Sequence, residues 1–477
     1  MLPKLALLIC AIYVLFLLRL EHRQSPSVSW ALWIPTVWML VIAGKPLGIW
    51  FGSGDRDAGS PLDQVFLIAV LCLGLCILAS RRFDISLALK GNTALMVLLG
   101  YSLMSVFWSE IPFISFKRWT REVIAVVMAL LVLSEREPRQ AMLSLLKRTI
   151  CILIPFSLIL IKYFPEYGIQ YRWNGGQMWT GVTLQKNGLG RLCLIAAFFF
   201  VWTFVRRRQG RGNPIGKYQA LADASLFILI FYLLSGPGGQ YSATALISFC
   251  AGLLTFAGLL WSQKHQIFLG VNTLTMMMVA ILSLGTLQPF LGGSIIKDAA
   301  SSVGRDATLT GRTEIWAGLL PDVMRSPFLG SGFASYWTAA VRKVHEAGEA
   351  HSGYLDILLE RGFLGLLFVS LFILSSCRKA QRELRHDFDW ACLWICFLVM
   401  TMIHNFSESS ISSFATQLMA VLLFLAVLSS KQGLSYTSEV KKLGMDTRDK
   451  KIPMSRKKIT NHTSARRAKL CKYVNKT

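Results

Sequence analysis

His351-Ser352-Gly353-Tyr354-Leu355-Asp356-Ile357-Leu358-Leu359-Glu360-Arg361-Gly362-Phe363-Leu364-Gly365 closes the one long hydrophilic interval of this chain and runs straight into an apolar block. An imidazole therefore stands just outside that block, with a glycine pair at its mouth. Outward from this stretch, apolar blocks recur at 3–20, 28–50, 64–80, 92–108, 120–134, 143–161, 189–205, 221–235, 242–260, 268–287, 363–376, 390–404 and 414–429. Their lengths suit helices crossing roughly 30 Å of hydrocarbon. Within lipid every backbone group must find a partner in its own segment, which favours helices over open sheet. Only 16% of residues are charged, against about a quarter in soluble domains. The expected fold is an all-α polytopic membrane protein. It has 12–13 transmembrane helices, because some blocks are short or carry proline, and one long external loop containing short helices.

Four regions follow: N-terminal membrane helices over 1–287, the large external loop over 288–362, C-terminal membrane helices over 363–430, and a basic tail over 431–477 that is expected to be disordered. The first block resembles a signal-peptide core, but Arg19-Leu20-Glu21-His22-Arg23 follows it in place of a small-residue cleavage site, so it reads as an uncleaved anchor. Net charge is +24, and the tail from Lys431 holds fourteen Lys or Arg against three acids. Further bases cluster at Arg81-Arg82, 136–148, 206–217 and 378–385. All fall on one side of an alternating bundle, which the positive-inside rule makes cytoplasmic. The loop over 288–362, with seven bases and eight acids, is then external. Thirteen spans would put the N-terminus outside. The tail has little aromatic interleaving, so attraction to anionic lipid is expected and a nucleic-acid partner is not. No cysteine falls in an external loop, so no disulfide framework is implied.

No P-loop and no His-Glu-x-x-His occurs, so ATP-driven transport and zinc proteolysis are unsupported. Four places on the external side carry candidate chemistry. Lys186-Asn187 opens one helix; Arg312, after Gly311, opens a helix-like stretch reaching Met324; His351 opens the next; Asn405-Phe406-Ser407-Glu408 caps another. Helix N-termini present unpaired N–H groups and partial positive charge, which suit a phosphate. Arg118 and Arg121, flanking Trp119, are further phosphate candidates, with interfacial anchoring as the alternative. Tyr354 shares a helix face with His351 and could line a groove or simply pack. His404 and Glu408 are rival bases to His351. Glu349 and Glu360 are expected to face solvent.

His351-Ser352-x9-Gly362-x-x-Gly365 resembles the signature of the O-antigen ligase and polysaccharide polymerase (Wzy-type) superfamily. Gly311-Arg312-x-x-x-Trp316, Pro327-x-x-Gly330-x-Gly332, Lys186-Asn187-x-x-Gly190 and Asn405-x-x-Glu408-Ser409 are similar to elements of its exopolysaccharide-polymerising branch, in the same order. The resemblance covers roughly residues 30–430 and implies a GT-C-like membrane glycosyltransferase of the bacterial inner membrane. It implies an undecaprenyl-diphosphate oligosaccharide donor and a lipid-linked glycan acceptor. It further implies metal-independent, inverting transfer with no cofactor, His351 as base and Arg312 and Lys186 on the diphosphate. A chain-length co-polymerase would be a fitting partner. The sibling reading is a ligase that moves glycan to lipid A core. A flippase for the same lipid is the competitor from another class, but flippases more often show mid-membrane charges and paired halves. One departure stands out: relatives often carry a cation in the turn where this chain has Ser235-Gly236-Pro237-Gly238-Gly239-Gln240-Tyr241-Ser242.

Overall fold

The structure, a computed structural model, describes residues 3–52, 59–171, 175–212, 215–239, 241–267, 271–292 and 311–442. The tail beyond residue 442 and the loop segment holding Asp306, Thr308 and Thr310 lie outside the described residues, as do the expectations placed on them. The chain divides into units over 1–431 and 432–477.

The protein is all-α and polytopic, with a single two-stranded hairpin, Ile169–Tyr171 paired antiparallel with Gln177–Trp179, among the described residues. Each of the thirteen apolar blocks carries a helix. Seven helices are long and apolar enough to cross a bilayer on their own, and five shorter apolar helices accompany them. The remaining block belongs to Pro112–Leu133, whose first turns carry Lys117, Arg118, Arg121 and Glu122 ahead of a buried apolar run. Phe388–His404 and the 418–428 part of Gln417–Lys442 are buried all round. A helix without a polar face belongs in the middle of a bundle, and these two form its core.

Hydrogen bonds sort the connections into two ends. At one, Arg81 meets Glu135 at 2.8 Å, Arg148 meets Glu21 at 2.8 Å, Arg139 meets Glu383 at 2.5 Å and Arg211 meets Asp389 at 2.9 Å. At the other, connections near 105–111, 180–187, 311–350 and 405–416 join one another. The basic loops thus share one end and the His351 loop occupies the opposite one.

The helix Gly353–Glu383 breaks at Gly362, where φ is 61° and ψ is −166°. The break releases carbonyls and amides that the loop takes up. Ser331 N–H donates to Leu359 O at 2.9 Å and Gly332 N–H to Glu360 O at 2.8 Å, while Phe363 N–H donates to Pro327 O at 2.8 Å. The Pro327-to-Gly332 turn is therefore stitched onto the mouth of the membrane segment, and these groups find partners in it. A Cβ on Gly330 would lie 2.5 Å from Arg361 N, and one on Gly362 would overlap the Phe328 backbone. The Gly362 backbone region is essentially glycine-only and costs other residues about 1–3 kcal/mol before any clash. Gly362→Ala is expected to lower the thermal midpoint of the purified protein by several degrees or to abolish folding. Gly100→Ala, with open space around it, should leave the midpoint unchanged.

Candidate active site

Ser352 caps the kinked helix, its Oγ accepting from Leu355 N–H at 3.5 Å. His351 just before it adopts φ 50°, a left-handed conformation unusual for a non-glycine residue. Its neighbour Ala350 is clamped from both sides. Trp316 Nε1 donates to Ala350 O at 2.8 Å, and Asp356 Oδ1 accepts from Ala350 N–H at 3.2 Å and from Trp337 Nε1 at 2.8 Å. Trp316 and Ala350 are fully buried in a small core with Leu319, Leu355 and Leu358. The loop thereby folds against the first turns of the kinked helix and fixes the peptide from which the imidazole projects.

Glu408 joins the other elements. Its Oε1 accepts from Arg312 Nη2 at 2.7 Å and from Asn187 Nδ2 at 2.6 Å. Only 3% of the Glu408 side chain and 14% of the Arg312 side chain are exposed. The Glu408 turn is locked to the His351 helix because Gly353 N–H donates to both Asn405 O and Glu408 O, each at 3.0 Å. His351 Nδ1 lies 3.3 Å from Glu349 Oε1, off the direction for a hydrogen bond. All four candidate places thus converge through Arg312, His351 and the Asn187–Glu408 pair. Lys186 precedes Asn187 at the start of the same helix, half-exposed.

Burial, reinforced by the Arg312 charge, pulls the His351 imidazole down to about 4. It is therefore neutral at pH 7. Burial also pushes Glu408 up to about 7, with Glu349 adding to the rise and Arg312 and Arg191 opposing it. An NMR titration of labelled histidine should place His351 near 4 in the wild type. In Arg312→Gln the value should move upward, because one of its two depressing causes is gone. An unmoved value would remove Arg312 as a cause.

The other predicted residues fall elsewhere. Arg118 donates to Ala334 O and so braces the loop. Arg121 is exposed beside a groove described below. Tyr354 is completely buried, its hydroxyl donating to Met402 O at 2.9 Å, so it packs and lines no groove. Asn405 uses its Oδ1 to accept from Ser410 N–H and Ile411 N–H at 2.8 and 2.9 Å, and shapes the Glu408 turn from within. Glu360, expected at the surface, is buried instead, because the Pro327-to-Gly332 turn covers it. Glu349, His351 and Glu408 bring three possible metal-ligand atoms within 4.8 Å of one another. Arg312 already occupies Glu408 Oε1 from that side.

One residue here went unnoticed in the sequence. Arg191 lies one turn beyond Asn187, its Nε buried without a partner and its charge acting on Glu408 and Glu349. Gly190 before it meets the cation-less turn, since a Cβ there would come within 2.5 Å of Ser242. His404 is fully buried near Arg191 and Arg312, with neither ring nitrogen hydrogen-bonded. An arginine inside an otherwise apolar helix was the available signal.

Residues 224–370 match the O-antigen ligase family, a stretch containing Arg312 and His351 but neither Asn187 nor Glu408. The chain is 21% identical over 305 residues to the exopolysaccharide production protein ExoQ of Rhizobium meliloti, covering 61% of this chain and 65% of that protein. It is 24% identical over 225 residues to a ComP-specific O-oligosaccharyltransferase of Acinetobacter baylyi, covering 45% of this chain and 37% of that one. The chain thus spans less than two thirds of the length of either relative.

Proposed function

We propose that this protein is a glycosyltransferase of the bacterial inner membrane. It would transfer an undecaprenyl-diphosphate-linked oligosaccharide to the end of a second lipid-linked glycan on the outer face, and so polymerise an exopolysaccharide or O-antigen. The observation that carries this reading is the meeting of Arg312, Asn187, Glu408 and His351 at the end of the bundle opposite the basic loops. Basic loops favour the cytoplasmic side, which supports a periplasmic site.

In this reading the acceptor hydroxyl attacks the anomeric carbon of the donor. The bond from that carbon to the diphosphate oxygen breaks, and its electron pair leaves with the diphosphate. Arg312, Arg191 and Lys186 stabilise the departing charge. Arg191, next in sequence to the Gly190 that packs on Ser242, supplies the cation which that turn lacks. His351 takes the hydroxyl proton. The neutral imidazole keeps one ring-nitrogen lone pair for that proton. Arg312 is one of the two causes that depress His351, so a bound diphosphate that offsets this cation raises the imidazole's basicity when the donor arrives.

Transfer to another acceptor is the second reading, favoured by the O-antigen ligase match and by the oligosaccharyltransferase relative. The purified protein should be given lipid-linked repeats alone, or repeats with lipid A core. A ladder of lengthening chains from repeats alone supports the polymerase. Single transfer only when core is present supports the ligase. Neither product, with lipid-linked repeats moving between leaflets, would return the flippase reading.

A further inference from the structure

A groove of about 830 Å³ opens beside the candidate site, outside the Arg312–Glu408–His351 cluster. Its wall is apolar, built from Trp38, Ile42, Phe66 and Leu67. Its rim is polar and carries a cation, Arg121, on the same helix as the buried Glu122. Among the described residues Arg121 has no ion-pair partner. Asp63, the acid on the rim, is committed elsewhere: it accepts from Leu47 N–H at 2.8 Å and Gly48 N–H at 3.3 Å. An apolar trough between membrane helices with a guanidinium at its edge suits an amphiphile with a negative head. The volume lies within the roughly 300–1,000 Å³ usual for small-molecule sites.

Two contacts tie this groove to the transfer chemistry. Gln185 on its rim precedes Lys186 and Asn187, whose amide holds Glu408. Ala415 lines it too, two residues after Ser413, whose hydroxyl donates to Glu122. A lipid headgroup at Arg121 would thus lie against the helix start and the turn that frame Arg312 and His351.

We infer that this groove is a second polyprenyl-phosphate site. It would hold the head and first isoprene units of the acceptor lipid at Arg121 while the donor diphosphate occupies Arg312. The inference rests on the polymerase reading above: a chain-extending enzyme must seat two lipid-linked substrates at once, whereas a flippase needs one. Ile49, on the groove and 46% exposed, can be enlarged with little disturbance of the core.

The test counts bound undecaprenyl diphosphate per chain by native mass spectrometry of the full-length protein in nanodiscs. Wild type should bind two. Arg121→Glu, and independently the groove-filling Ile49→Trp, should each bind one, with affinity for that remaining molecule changed less than threefold. The double variant Arg312→Ala, Glu408→Gln should also bind one, losing the other molecule. Two molecules retained in both groove variants would overturn the inference. So would displacement of the groove molecule by a tenfold excess of phosphatidylglycerol, which would mark a general phospholipid site. One molecule in wild type, lost only with Arg312, would overturn the groove and leave the catalytic reading standing. One molecule lost only with Arg121 would overturn the inference as well, because the groove would then be the single lipid site and Arg312 would hold no diphosphate.

Discussion

Replacing Arg312 by alanine is expected to damage the protein twice, and the two injuries can be separated. Arg312 supplies the charged partner of Glu408, whose side chain is only 3% exposed. Removing one member of a buried pair costs about 3–5 kcal/mol where the other stays charged, and less here because Glu408, pushed up to about 7, can take a proton. Asn187 still donates to the same oxygen, which lowers the cost further. Glu408→Gln in the same chain removes the stranded charge and should restore most of the lost thermal stability. Activity should behave differently. If Arg312 stabilises the leaving diphosphate, both Arg312→Ala and the double variant should lose about 10²–10³-fold in transfer rate, the scale of losing one charge-stabilising group. The check is a two-by-two set of variants measured for thermal midpoint and for single-turnover glycan transfer. Activity that recovers with stability in the double variant would make Arg312 a structural residue only.

His351→Ala should act on chemistry alone. The side chain is 28% exposed and has no hydrogen bond through Nδ1, and the backbone around it is held by Trp316, Asp356 and Ser352 through other atoms. Stability should therefore change little. Relief of the left-handed strain could not be large either, because alanine at φ 50° is strained as well. Transfer should fall by about 10²–10⁴-fold if the imidazole removes the acceptor proton. Binding of the lipid donor should persist. A variant that transfers within threefold of wild type would clear His351 of the role. The search would then move to Glu408, pushed up to about 7, and to the buried His404.

The bundle was legible from hydrophobic length, because a span needs little more than enough consecutive apolar residues. The basic connections could be gathered onto one side for the same reason: their charges are local and countable. The site was readable only as separate motifs. That Arg312, His351 and Glu408 adjoin depends on contacts 96 residues apart in sequence, which no local pattern encodes. Glu360 was misjudged because its cover comes from the Pro327-to-Gly332 turn, some thirty positions upstream, whose Gly332 N–H donates to Glu360 O. Arg191 was hidden by the apolar run around it, and Tyr354 and Asn405 carry polar groups that the fold spends internally. Trp316, by contrast, acquires a physical reason: four residues after Arg312, it holds the carbonyl that precedes His351.

The break at Gly362 also decides how this protein can be taken apart. A water-soluble region between two spans invites expression as an isolated fragment, for antibodies or for ligand screening. Here the Pro327-to-Gly332 turn has few backbone bonds of its own, among them Gly330 N–H to Ser326 O at 2.9 Å. It borrows the 359–363 groups of a helix that continues into lipid. A fragment ending before Gly353 would shed those bonds together with Leu355, Leu358 and Leu359, which complete its small core. Reagents raised against such a fragment would recognise an unfolded peptide. Antibodies or inhibitors directed at the native outer face need the whole protein in a bilayer or its equivalent.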